Sequence, residues 1–195
     1  MQKLIVLLTV LAVTSAASAS HDDFRGPKCL GPFCLGMTVY PRSLFEQLGS
    51  PKMRADAYCF QSDRDHLFLC ITTEEALKGA VVSVFLSDFS NCLHHPQQIT
   101  HADLTAWKTR EGIGIGSTEE DVLKAFGKPL DRWKATPDQI LGLMEETRKG
   151  DKPPIAGQSV EWMLAYGSTN KDELRFASIG LRNGKVSYVW LSESE

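Results

Sequence analysis

Residues 112–129 read GIGIGSTEEDVLKAFGKP. Three glycines at alternate positions run into a stretch with helical spacing, so the first question is whether they cradle a phosphate. A dinucleotide loop needs G-x-G-x-x-G between a strand and a helix, and a P-loop needs a following Lys-Ser/Thr pair. Gly112, Gly114 and Gly116 match neither pattern, and no nucleotide is expected there. An internal repeat explains the stretch better. Residues 36–51, GMTVYPRSLFEQLGSP, show the same order: glycine, one residue, threonine, a helical patch, then Gly-x-Pro. LFEQLGSP lies over VLKAFGKP without a gap. In the second copy Ser117 and Glu120 predict a capping box. Val122, Leu123 and Phe126 predict one apolar helix face, and Gly127 with Pro129 the helix end. Leu44, Phe45, Leu48, Gly49 and Pro51 take those parts in the first copy.

The chain after each helical patch repeats as well. The first half continues with AYCFQSD, HLFLCITTEE and AVVSVFLSDF; the second with VEWMLAYGS, ELRFASIGLR and KVSYVWLSES. Asn183-Gly184 joins the last two segments as a two-residue hairpin signal. Each half therefore reads as a helix followed by a three-stranded antiparallel meander. The expected fold class is α+β: two tandem helix-plus-antiparallel-meander repeats, one sheet face covered by helices. The expected boundaries are a first α/β repeat over residues 20–103 and a second over 104–195. The second carries an inserted helix, Pro137 to Lys149, and a Pro-rich loop, GDKPPIAG. Leu93 to Arg110 reads as a polar, His-rich linker.

Residues 1–19 read as a secretory signal peptide: Lys3, an apolar run from Leu4 to Val13, and the small-residue site Ala17-Ser18-Ala19. The run is about ten residues, where a spanning helix needs roughly 20. No cysteine follows the cleavage site, so no membrane anchor is expected, and the localisation expected is periplasmic or secreted. About 176 residues then remain, enough for one core or two small ones. A formal net charge of -3 without a basic block argues against a nucleic-acid partner.

All five cysteines, Cys29, Cys34, Cys59, Cys70 and Cys92, lie in the first half. In an exported chain they read as disulfides rather than metal or catalytic thiols. The polar turn SDRD separates two strand-like runs. If it centres between Arg64 and Asp65, Cys59 falls opposite Cys70, within disulfide range for an antiparallel pair. The other three allow one more bridge. Cys29–Cys34 across CLGPFC is the simplest, and Cys92 with Cys29 or Cys34 remains open.

The doubled G-x-T…helix…G-x-P pattern, the paired meanders and the hairpin cysteines together resemble the beta-lactamase inhibitory protein family. They also resemble the wider superfamily that holds the small barrel-assembly lipoprotein of outer membranes. The resemblance covers residues 35–195 and implies a fold more than a function. The second half lacks cysteines, and no lipid-attachment cysteine is present.

Strand alternation separates the two sheet faces. Tyr58, Phe60, Leu67, Leu69, Ile71, Val82, Val84 and Leu86 read as the core face of the first meander. Trp162, Leu164, Ala177, Ile179, Val189 and Leu191 read as that of the second. The opposite face carries Gln61, His66, Thr72, Ser83, Ser87, Ser178 and Ser192, and five aromatics: Phe68, Phe85, Phe176, Tyr188 and Trp190. Rings on an open sheet face suit protein recognition, because they bury area at low entropic cost.

Catalytic patterns are weak. No Gly-x-Ser-x-Gly elbow or Cys–His arrangement occurs. Glu119-Glu120-Asp121 and Glu145-Glu146 read as helix chemistry. Cys92, His94, His95 and His101 form the strongest metal-like cluster, but adjacent histidines in a linker converge poorly on zinc. No catalytic residue, metal or cofactor is expected. The preferred expectation is an exported, non-catalytic module that binds another exported or envelope protein, with an inhibitor-like role as one case. A cell-envelope structural or assembly factor is the alternative, and a small secreted hydrolase or metal-binding protein the second.

Overall fold

The computed structural model describes residues 24–37, 46–49, 57–74, 79–89, 98–135, 160–167 and 175–193. The expected signal peptide, the inserted helix, the Pro-rich loop, Cys92, His94, His95 and Glu145-Glu146 lie outside the described residues.

Ten strands form among the described residues. β1 (Cys29–Leu30) and β2 (Phe33–Cys34) make a two-stranded ribbon. β3 (Ala57–Ser62), β4 (Phe68–Glu74) and β5 (Ala80–Ser87) form one antiparallel meander. β6 is Gln98–Thr100 and β7 is Asp131–Lys134. β8 (Trp162–Gly167), β9 (Arg175–Arg182) and β10 (Lys185–Glu193) form the second meander. Eight of them join in one sheet of order β6-β3-β4-β5-β10-β9-β8-β7. The seam is the antiparallel β5–β10 pair, where Val84 opposes Leu191 and Leu86 opposes Val189. β6 runs parallel to β3, so the sheet is mixed.

This corrects the expected α+β class. The described residues are mostly strand, and the meanders do not form two helix-covered repeats. Their helical content is one eight-residue helix, Glu119–Phe126, a 3-10 turn at Leu104–Ala106, and residues 46–48. Length explains the outcome. An eight-residue helix reaches about 12 Å, whereas eight strands at a spacing of about 4.8 Å extend for about 34 Å. Among the described residues, the β1–β2 ribbon, the 3-10 turn and loop residues therefore share the apolar face with the helix. Phe24, Leu30, Phe33, Leu104 and Ile113 pack there beside Val122 and Leu48, against Leu69, Ile71, Val84, Ile179, Val189 and Leu191.

Three local expectations also change. Part of the supposed linker is the edge strand β6. The helix N-cap is Thr118 rather than Ser117, and its box partner is Asp121: Thr118 N donates to Asp121 Oδ2 (2.9 Å) and Asp121 N to Thr118 Oγ1 (3.1 Å). Leu123 points outward and is 39% exposed, while Val122, Ala125 and Phe126 carry the helix's contact with the core. Gly127 closes the helix at φ 75°, in the left-handed region that favours glycine.

Register mostly follows alternation, with two breaks, one in β9–β10 between Val186 and Tyr188 and one in β4–β5. The β4–β5 pairing shifts between Thr72 and Thr73, which leaves Val82 as the extra residue of a bulge. Val81, not Val82, is then fully buried on the core face. The Asn183-Gly184 turn forms as expected, with both residues at positive φ (51° and 69°).

The disulfides among the described residues are short-range. Cys59–Cys70 forms at directly opposed positions of β3 and β4, Cα–Cα 4.3 Å, as the turn spacing predicted. Cys29–Cys34 closes the β1–β2 ribbon, the simplest of the alternatives left open. Two disulfides suit an oxidising, extracellular-type environment. Among the described residues no helix is long and apolar enough to cross a membrane.

Candidate recognition site

The sheet face opposite the aliphatic core is organised in ranks of opposed residues that run across the strands. One rank runs Gln61, Phe68, Ser87, Tyr188, Gly180, Met163, Trp133. The next runs Cys59, Cys70, Phe85, Trp190, Ser178, Ala165, Asp131. A third holds Ala57, Thr72, Ser83, Ser192, Phe176 and Gly167. All five aromatics expected on this face are there.

They are not equally accessible. Tyr188 is 3% exposed and Phe85 6%; with Val160 and Met163 they form a second small core, flanked by Cys70, Phe89, Trp133, Ala135 and Trp190. Neither ring is free to touch a partner, which corrects their reading as contact residues. The remaining three, Phe68, Phe176 and Trp190, are half-buried.

Tyr188 is fixed on every side. Its ring stacks on Phe85 (5.2 Å between centroids, 15° between planes) and meets Phe89 edge-on. On the other side it lies flat over Gly180, where a Cβ would overlap the ring. Its hydroxyl donates to Met163 Sδ (2.7 Å) and pairs with Ser178 Oγ (3.0 Å). Burial pushes this hydroxyl's pKa above the ordinary tyrosine value, more than the Ser178 bond lowers it.

Trp190 is held by a different set. Its Nε1–H donates to Ser83 Oγ across the seam (2.8 Å). Phe176 meets it edge-to-face at 4.8 Å. The indole is thus oriented by one hydrogen bond and one ring, on a strand with ladder partners on both sides. Beside Tyr188, Asp88 accepts from Ser187 Oγ (2.7 Å) and pairs with Arg182, tying the first meander's end to the second.

Sequence reasoning missed Phe89, Met163 and Trp133 as members of this face. One signal was available: a glycine inside a strand, here Gly180 opposite Tyr188, marks a place where something approaches closely.

The other candidate chemistry resolves into structure. His101 Nδ1 pairs with Asp63 Oδ2 (2.7 Å) at the tip of the first hairpin, and among the described residues no three metal-ligating side chains converge. Asp121 caps its own helix; the Thr118 hydroxyl and N–H hold its carboxyl below the usual range. A cleft of about 720 Å³ lies between that helix and the glycine stretch, with Ile113 and Ile115 in its lining. The N–H groups a phosphate would need are engaged within the chain. Gly114 donates to Ser117 Oγ (3.1 Å), Gly116 to Val186 O (2.8 Å) and Glu119 to Gly184 O (3.1 Å). Lys108 and Lys124 share the rim with Glu111 and Asp121, so the cleft selects neither charge.

No protein-family model, curated protein or solved structure matches this chain.

Proposed function

We propose that this chain is an exported, non-catalytic protein-binding module whose recognition surface centres on Trp190 and Phe176, with Phe68 further along the same face. One observation carries the reading. A partly buried indole is held by Ser83 and Phe176 on a central strand, so little side-chain freedom remains to be lost on contact. Ser83, Ser192 and Thr72 neighbour it in the adjacent rank and present hydroxyls that can hydrogen-bond a partner's backbone. The partner is a folded protein of the same exported compartment. An inhibitor-like role toward an exported enzyme is the specific form that the resemblance to beta-lactamase inhibitory proteins implies.

The test uses two adjacent residues that point to opposite faces. Wild-type, Trp190→Ala and Leu191→Ala proteins are immobilised and challenged with the exported proteins of the source cell, and captured species are titrated individually. Trp190→Ala should weaken a true partner by about 2 kcal/mol or more while retaining most of the folding stability. Leu191 is fully buried, and its truncation should cost about 2–5 kcal/mol of stability. Undiminished capture by folded Trp190→Ala would place recognition elsewhere. A loss of stability matching that of Leu191→Ala would make Trp190 a core residue instead.

A further inference from the structure

We propose that the Cys59–Cys70 bond is a redox-addressable element of the aromatic face, opened in the folded protein by a dithiol reductant. The inference goes beyond the recognition reading, because no partner enters it. Three observations carry it. The bond lies in the same rank as Phe85 and Trp190: Cys70 directly opposes Phe85, and Phe85 directly opposes Trp190. Its two residues differ in burial, Cys59 being 3% exposed and Cys70 partly exposed, with Cys70 packed against the Phe85–Tyr188 cluster. The register has determinants besides the bond. Besides Cys59–Cys70, β3 and β4 are aligned by four opposed pairs, flanked by β6 and β5, and closed by a turn in which Ser62 Oγ and Asp65 Oδ1 accept backbone N–H groups. The ribbon closed by Cys29–Cys34 has only two opposed pairs.

The step balances as ordinary thiol–disulfide exchange. A reductant thiolate attacks the Sγ of Cys70, the less buried residue, and forms a mixed disulfide. Cys59 leaves as a thiolate and takes up a proton. The reductant's second thiol then displaces Cys70, so two electrons pass to the protein and the reductant leaves as a cyclic disulfide. The freed sulfurs must separate to van der Waals distance, and Cys70 has Phe85 beside it. Movement of Phe85 reaches Trp190 through the direct cross-strand pair.

The experiment titrates dithiothreitol into the folded protein, maps free thiols by alkylation and mass spectrometry, and follows tryptophan emission in wild type and Trp190→Phe. Cys59 and Cys70 should be alkylated together while far-UV circular dichroism is unchanged. A red shift in emission should accompany this in wild type and be absent from Trp190→Phe. Opening of Cys29–Cys34, whose loop lies under Trp107, would give a signal that persists in Trp190→Phe. The proposal is overturned if Cys59–Cys70 survives until the sheet unfolds, or if its loss leaves the Trp190 signal unmoved. Should Trp190→Phe not fold, the Cys59→Ser/Cys70→Ser protein decides. Its emission should match that of the reduced wild type without reductant, and identity with the oxidised protein refutes the coupling.

Discussion

The two meanders lie side by side in one sheet, yet their aromatic-face ranks are closed by different chemistry. In the first, a covalent bond joins opposed residues of two adjacent strands, Cys59 and Cys70. In the second, Tyr188 draws on four strands at once: its own β10, Gly180 and Ser178 on β9, Met163 on β8, and Phe85 on β5 across the seam. A disulfide acts largely by limiting the unfolded chain, so its effect hardly depends on its neighbours. The tyrosine acts by burial and packing in the native state, so every neighbour matters. The first closure should therefore tolerate removal better than the second tolerates misfit.

The largest break in this comparison should come from Tyr188→Ala. It empties the second small core and removes the ring that Phe85 stacks on, at a cost of about 3–5 kcal/mol, measurable by urea unfolding. Tyr188→Phe keeps the ring and should cost about 1 kcal/mol for the lost hydroxyl bonds. Its pH signature is sharper. Burial raises the folded pKa of Tyr188, so its contribution is complete below the unfolded value of about 10 and falls as pH rises past it. Tyr188→Phe should lack that part of the alkaline decline.

Removing the first closure, with Cys59→Ala and Cys70→Ala together, should cost about 2–3 kcal/mol, as expected for so short a loop. The β3–β4 register should survive, seen as unchanged amide-exchange protection of Phe60 and Leu69. Loss of that protection would show that the bond sets the register and would erase the contrast. Gly180→Ala sharpens the other side. It puts a methyl into a buried, rigid ring and should cost about 1–3 kcal/mol, with a change in near-ultraviolet circular dichroism. A neutral result would mean that the tyrosine packs with slack.

A baseline far from both closures is the smallest effect. Thr118→Ala should cost about 1 kcal/mol through the lost N-cap and add independently to each variant above. Hydrogen bonds from Thr118 lower the Asp121 pKa. The stability they bring is present above the ordinary carboxylate range and lost as pH falls through the depressed folded value. Thr118→Ala should flatten that acid limb.

Local chemistry was legible. The SDRD turn put Cys59 opposite Cys70, Asn183-Gly184 marked its hairpin, and Gly127 with Pro129 marked the helix end, because each depends on a few adjacent residues. The capping box slipped by one residue because Ser117 and Thr118 both have a hydroxyl. Only the backbone angles chose between them. The fold class failed for a different reason. A repeat of helix-like patches says nothing about how much sheet each helix must cover, and β6 and β7 exist only because an edge elsewhere in the sheet was free to pair.

The aromatic face shows the same division. Alternation alone put Phe68, Phe85, Phe176, Tyr188 and Trp190 on one side, because the pleat has a period of two. The sequence by itself determined that much, along with the hairpin disulfide and the strands of both meanders. Tertiary structure decided which of those rings faces water. Phe85 and Tyr188 are buried because Met163, Val160 and Phe89 come from other strands and loops to meet them, and Gly180 leaves the space for a ring. Trp190 and Phe176 keep part of their surface because several cross-strand neighbours, Ser178, Ser83 and Ser192, are too small to cover the rings. Burial is a property of neighbours brought together across the sheet, and no local pattern in the chain contains it.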